Sequence, residues 1–329
     1  MTGRVKLIAF PIFLLLLLGI VFVFSLCCGT IWLNPLDLFT RQDISSLILK
    51  LRIIRSITAF IVGGALAVSG LAYQSVLKNP LAEPYILGIS GGASLGAALA
   101  IMLGLSALTV FAVPLFAFVF ALLALCIVLL LSRGNYAEYS ESILLSGVIV
   151  GSVCSSILMF IISSLGFNEL NSVTWWMLGN LQAADTGLLK IATAVTLGGT
   201  ALLFIYGRRA NLISMGGEMA HNMGVSPAQT VVVLLGTASL MAAAAVSLAG
   251  IISFVGLIVP HILRRLFGAD HRRLFPLGLI CGGMFLIICD TVSRSTLAAQ
   301  EIPVGVITAL IGGPFFIWLL NRRKGACND

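Results

Sequence analysis

Three arginines carry the most specific chemistry in this chain. Arg52 and Arg55 stand one helical step apart at the start of a long apolar run, and Arg294 lies near the end of another, four residues after Asp290. A guanidinium stays charged and makes paired hydrogen bonds to carboxylates. Two uses of the three cations are open. Arg52 and Arg55 can snorkel from an apolar segment to a polar boundary, while Arg294 pairs with Asp290 at i,i+4 on one helix face. Alternatively, the three form an outward-facing set that receives an acidic soluble partner.

Covalent and phosphate chemistry lacks its residues. There is no HExxH, no GxSxG and no GxxxxGK[ST] pattern. His221, His261 and His271 are widely separated, and the seven cysteines contain no CxxC pair. All but Cys327 sit in or beside apolar runs, where a thiol behaves as a small hydrophobe. Neither a metal site nor a disulfide framework is expected, nor an enzyme, and no cofactor is assigned to this chain. If its work is ATP-driven, ATP and Mg must bind on another polypeptide.

A second patterned stretch is "GRRANLISMGGEMAHNMGVSPA" (207–228). It is more polar than its surroundings and holds a Glu-x-Ala-x-x-x-Gly arrangement in Gly217, Glu218, Ala220 and Gly224. A short helix from Glu218 is expected to end at Gly224, a favoured C-cap, with Ser226 and Pro227 opening the next helix. Two short helices joined by a stiff elbow would make a lever; capped surface loop is the plainer alternative.

The elements that must hold these residues are membrane spans. Of 329 residues, 59% are hydrophobic and 9% charged, against about 25% charged in a soluble domain. Surface must face something, and a bilayer fits. Apolar runs at 7–28, 53–77, 86–105, 108–131, 142–165, 187–206, 229–249, 256–267, 273–297 and 304–320 give about ten spans. The first is longer than a signal-peptide core and is read as a retained span. The run 256–267, with Pro260, is too short to cross alone and reads as a half-helix lining an internal cavity. With the N-terminus inside, only Arg41, Lys50, Arg52, Arg55, Lys190 and Arg294 of the 19 cations fall outside, which satisfies the positive-inside rule. The pairs Arg264-Arg265 and Arg272-Arg273 then bracket a tight inside turn. That distribution, rather than a basic face, excludes nucleic acid as a partner. Gly88, Gly92 and Gly96 recur at four-residue steps and predict close helix packing. The stretches 65–84 and 243–262 share an Ala-Val-Ser start and a distal proline, a weak echo of the inverted repeats of transporters.

Three stretches in combination resemble one family. They are "GALAVSGLAYQSVLKNPLAEPYILGISGGASLG" (64–96), "GIISFVGLIVPHILRRLFGADHRRLFP" (250–276) and "EIPVGVITALIGGPFFIWLL" (301–320). The sequence resembles the FecCD-type permeases of ATP-binding-cassette importers for metal chelates such as vitamin B12, haem and iron-siderophores, from about residue 30 onward. The resemblance implies an all-α polytopic membrane protein with type II ABC importer permease architecture, a single transmembrane permease domain over 1–329. It implies a bacterial inner-membrane location in contact with lipid, a second permease copy as a homodimer, two cytoplasmic ATP-binding subunits, and a soluble or lipid-tethered binding protein. Arg52, Arg55 and Arg294 match the family's docking arginines. Gly217, Glu218, Ala220 and Gly224 match its ATPase-coupling helices. Asn79, Leu81, Ser140 and Glu141 match its inner gate. The family often reads Arg-Leu-Pro-Arg at the mouth of the second span; here Arg52-Ile53-Ile54-Arg55 lacks the proline, and the local helix start is in question. Glu141 is charged where the vitamin B12 branch carries a small polar residue. A short external helix is expected at about 170–181, with Trp175 and Trp176 either at the substrate entrance or in an interfacial aromatic belt.

A rival class is a secondary transporter or channel driven by an ion gradient. Such proteins bury ionisable residues along the path, whereas Asp290 and Glu301 sit near the outer edge and the span centres hold almost no acids. A receptor or scaffold, the third class, would pass no substrate at all.

Overall fold

The computed structural model describes residues 2–29, 43–132, 139–182, 185–296 and 301–325. Thirteen α-helices run through them: α1 (Thr2–Cys27), α2 (Asp43–Leu77), α3 (Ile89–Met102), α4 (Ala112–Leu131), α5 (Tyr139–Ser164), α6 (Phe167–Met177), α7 (Thr186–Ile205), α8 (Gly207–Met215), α9 (Gly217–Asn222), α10 (Pro227–Ala249), α11 (Val255–Phe267), α12 (His271–Ser295) and α13 (Val304–Gly325). Ten of them coincide with the ten apolar runs; α6, α8 and α9 are the short polar additions. Six are both long and apolar enough to cross a bilayer unaided. Their outward faces are greasy: Phe160 is 75% exposed and Ile205 72%, which a hydrocarbon solvent permits and water does not.

The α2 helix is the buried mast. Ala59, Ala65, Leu71, Ala72 and Tyr73 have no exposed surface. The start of α2, left open by the missing proline, is settled by the fold. Helix geometry continues unbroken from Asp43, so Arg52 and Arg55 lie inside a helix rather than at its mouth. α2 packs on α12 through glycines. A Cβ on Gly63 would meet the Gly282 carbonyl at 2.3 Å, and one on Gly282 would meet the Gly63 carbonyl at 2.4 Å, so the two backbones touch. The Gly92 and Gly96 steps do the same against α4, at the Phe120 and Phe116 carbonyls, whereas Gly88 meets Gly151 of α5.

The predicted half-helix is present. α11 has 13 residues, about 20 Å at 1.5 Å each, and irregular backbone at 250–254 precedes it. That backbone is covered by protein, as a lipid environment requires. The Phe254 N–H donates to Glu83 Oε1 at 2.7 Å, the Ile252 N–H donates to the Tyr85 hydroxyl at 3.2 Å, and Gln74 Nε2 donates to the Gly256 carbonyl at 3.1 Å. The two echoing stretches therefore pack on each other, with Gly70 against Gly256.

Candidate functional site

At the end of the bundle expected to face outward, the three arginines converge. Arg52 is 7% exposed and does not snorkel. Its Nη1 donates to the Leu26 and Cys27 carbonyls at 2.7 and 3.2 Å, the orphan acceptors that end α1. Arg55 donates from Nε to Asp290 Oδ1 at 2.8 Å and from Nη1 to Glu301 Oε2 at 2.7 Å. Arg294 Nε stands 3.1 Å from Asp290 Oδ2, the i,i+4 pair that spacing allows, although neither atom is aligned for a hydrogen bond. The attraction there is coulombic. Arg294 Nη2 donates to the Ser25 carbonyl and hydroxyl at 3.0 and 2.7 Å, and its buried Nη1 has no partner among the described residues.

Gln182 donates to the same Glu301 oxygen. Burial raises the Glu301 carboxyl, but the Arg55 hydrogen bond and charge, with Gln182 and Arg294, outweigh it and hold the group below the usual glutamate range. A cleft of about 430 Å³ opens among Arg52, Arg55, Arg294, Gln182 and Glu301. Counted with the buried Asp290 behind the cleft, the cluster sets three guanidiniums against two carboxylates, one positive charge in excess. Sequence reasoning left out Ser25 and Gln182. Neither sits in a pattern, and both reach the cluster only through folding.

At the opposite end, expected to face inward, α8 and α9 form a two-helix platform. Gly216 joins them with φ 144° and ψ 144°, and Gly224 closes α9 at φ 78°, a region side chains disfavour. Pro227 opens α10, as expected, although Ser226 makes no side-chain cap bond. Gly217 and Ala220 are buried against the body of the protein. Glu218 points outward, and Met215, Met219 and Met223 are 64%, 45% and 63% exposed. The platform is tied to the first turn of α12 through Asn211. Asp270 caps that turn by accepting from the Arg272 N–H at 3.1 Å. The Asn211 hydrogen bond, aided by the cap bond and the neighbouring arginines, holds its carboxyl below the usual aspartate range against some burial.

Two of the inner-gate candidates, Asn79 and Leu81, share one turn. Asn79 Oδ1 accepts from the Leu81 N–H at 2.9 Å, and Leu81 is 42% exposed. Glu141 is exposed in the first turn of α5. The side chain of Ser140 lies outside the described residues. Gly147 of α5 touches Ile86 and Leu87, and Gly88 touches Gly151. The external helix starts earlier than expected, at Phe167, because Gly166 in extended geometry precedes it. Trp175 lines two outer clefts, one of them with Arg55 and Glu301.

Comparison with known proteins places this architecture. The model of the FecCD transport family matches residues 15–322. The chain belongs to the FecCD transport family. It is 39% identical over 290 residues to the cobalamin import system permease protein of Halobacterium salinarum, covering 88% of this chain and 77% of that one. It is 34% identical over 330 residues to the hemin transport system permease protein of Yersinia pestis, covering 98% of each. A solved metal-chelate type ABC transporter in an inward-facing conformation superposes with a TM-score of 0.84 at 29% identity, over 94% of this chain and 97% of that chain. As a family member it is a multi-pass inner-membrane permease of ABC transporter type, and its fold is the type II permease architecture of about ten membrane helices. The family works with ATPase and substrate-binding partners.

Proposed function

We propose that this chain is the conducting subunit of an ATP-driven importer that moves a metal chelate, of the iron-siderophore, haem or cobalamin class, inward across the inner membrane. The observation that carries the reading is the α8–α9 platform. A surface bearing three exposed methionines and an exposed glutamate is polarizable, adaptable and in need of cover. It stands on the side where the cations accumulate, which is where ATP-binding subunits would meet it. A loaded binding protein docks on the outer arginine cleft, whose excess positive charge favours an acidic partner. Two ATPases close beneath two copies of the chain, and the platforms carry that closure to the helices. The cavity between the copies opens to one side and then the other. With scarcely any charge in the span centres, its walls hold a bulky chelate weakly enough to release it.

Reconstitution tests the reading. Liposomes containing this chain, its ATPases and its binding protein should accumulate chelate only with hydrolysable ATP. Uphill accumulation by the chain alone, or uptake abolished by an uncoupler at saturating ATP, would refute it.

A further inference from the structure

We propose that Asn211 is the positioning residue through which the α8–α9 platform moves α12, and with it the outer arginine cleft. The proposal rests on the reading of α8–α9 as the ATPase-facing element.

A single amide makes the joint. Asn211 Nδ2 donates to Asp270 Oδ1 at 2.9 Å. Asn211 Oδ1 accepts from the His271 N–H at 2.9 Å and contacts His271 Nδ1 at 2.7 Å. An amide oxygen can only accept, so His271 carries its proton on Nδ1. All three contacts go to the residues that begin α12, some sixty positions away in sequence. His271 is 1% exposed, so the joint is packed as well as bonded. The first turn of α8 adds contact. A Cβ on Gly207 would lie 3.0 Å from the Arg272 nitrogen and 2.9 Å from its Cγ. The two helix beginnings touch with no gap, and displacement of α8 must either displace α12 or break the bonds at Asn211.

The far end of α12 is the outer site. From His271 to Asp290 the helix rises about 28 Å, interrupted only by Pro276. Asp290 and Arg294 then join Arg55 in the outer ion-pair cluster. The contact of Gly63 with Gly282 couples α12 to α2, which carries Arg52 and Arg55. One helix pair thus spans from the platform to the docking cleft, and Asn211 is the side chain that connects it to the platform.

A charge swap separates this role from a merely structural one. Asn211→Asp sets a carboxylate against Asp270 and removes the donor. Adding Asp270→Asn removes the like-charge pair and presents an amide donor to residue 211; because one oxygen, Asp270 Oδ1, accepts both the Asn211 and the Arg272 N–H bonds, that donor is gained at the expense of the Arg272 cap. Each variant is assembled with its ATPases and binding protein in liposomes. In Asn211→Asp, the binding protein's stimulation of ATP hydrolysis and the uptake per ATP should fall about tenfold, the scale of one charge-assisted hydrogen bond. Basal hydrolysis should stay at the wild-type value, and melting temperature should fall by no more than about 3–6 °C, the scale of one such bond. The double variant should recover stimulation in part, ending above the single variant and below wild type because the Arg272 cap is lost. If Asn211→Asp does not assemble, Asn211→Ala, which loses the bonds to Asp270 and His271 without adding a charge, is read in the same way. Normal stimulation in the assembled single variant, or a loss the swap does not repair, overturns the proposal. A Glu218→Arg variant runs in parallel. If it is uncoupled while the assembled residue-211 variant is normal, the joint alone is refuted. If it transports normally, the reading of the platform itself fails.

Discussion

Removing the Asp290 charge should destabilise the protein far more than its position near the membrane edge suggests. Asp290 has no exposed side-chain surface, and it serves two guanidiniums, at 2.8 Å to Arg55 and 3.1 Å to Arg294. Breaking a buried ion pair from one side costs about 3–5 kcal/mol, because the remaining charge is buried and unpaired. Here the cost falls at the lower end. Arg55 retains Glu301 at 2.7 Å, and Arg294 retains the Ser25 carbonyl and hydroxyl at 3.0 and 2.7 Å. Asp290→Asn should therefore lose about 3 kcal/mol. At about 2–4 °C per kcal/mol for chains of 150–250 residues, that is roughly 6–12 °C in melting temperature. The neighbouring thiols supply the assay. Cys27, Cys28 and Cys289 are buried, so a thiol-reactive fluorophore added during heating in detergent reports unfolding above the baseline of the exposed Cys126. Replacing Asp290 with one of its two partners, as Asp290→Leu with Arg294→Met, should recover part of the loss, because apolar groups substitute for that buried pair at little net cost while Arg55 keeps Glu301. A shift under about 2 °C for the single variant, or a double variant less stable than the single, would refute the account of the cluster.

Gly282→Val should prevent stable assembly, since even its first carbon would sit 2.4 Å from the Gly63 carbonyl; gel filtration of the detergent-solubilised protein should show aggregate where wild type gives a single peak. Gly224→Pro removes the N–H that donates to the His221 carbonyl at 2.9 Å and forbids the φ of 78°, so uptake per ATP should fall about tenfold with assembly retained, checked by uptake and hydrolysis in the same liposomes. Glu301 lies below its ordinary 4.5 in the folded protein. A depressed carboxylate stabilises the fold above its unfolded pKa and loses that contribution only as pH falls through the folded value. Melting temperature should therefore respond to Glu301→Gln by the same amount at pH 6 and pH 8, with the difference shrinking below about pH 4.5.

How much of this was legible beforehand follows from the range of the interactions. The ten apolar runs, the half-helix at α11 and the short helices around Gly224 depend on composition and local backbone preference, and each appears where the pattern placed it. The Arg294–Asp290 pair was legible for the same reason, because i,i+4 partners share one helix face. The start of α2 was open, because removing a proline permits a helix without requiring one. The outer cluster brings together α1, α2, α12 and the segment before α13 across 235 and 246 positions. No spacing rule reaches that far.

Sequence alone determined that this chain lives in a membrane and which family pattern it follows, and it assigned each loop an expected side. These rest on the transfer of apolar residues and charges between water and lipid, which each segment settles largely for itself. Only the tertiary structure decided that Arg52 would close the end of α1, that Asp290 would hold two arginines at once, and that Asn211 would meet His271. A hydrogen bond needs its donor and acceptor within about 3 Å, and only the packing of distant helices sets which polar groups come that close.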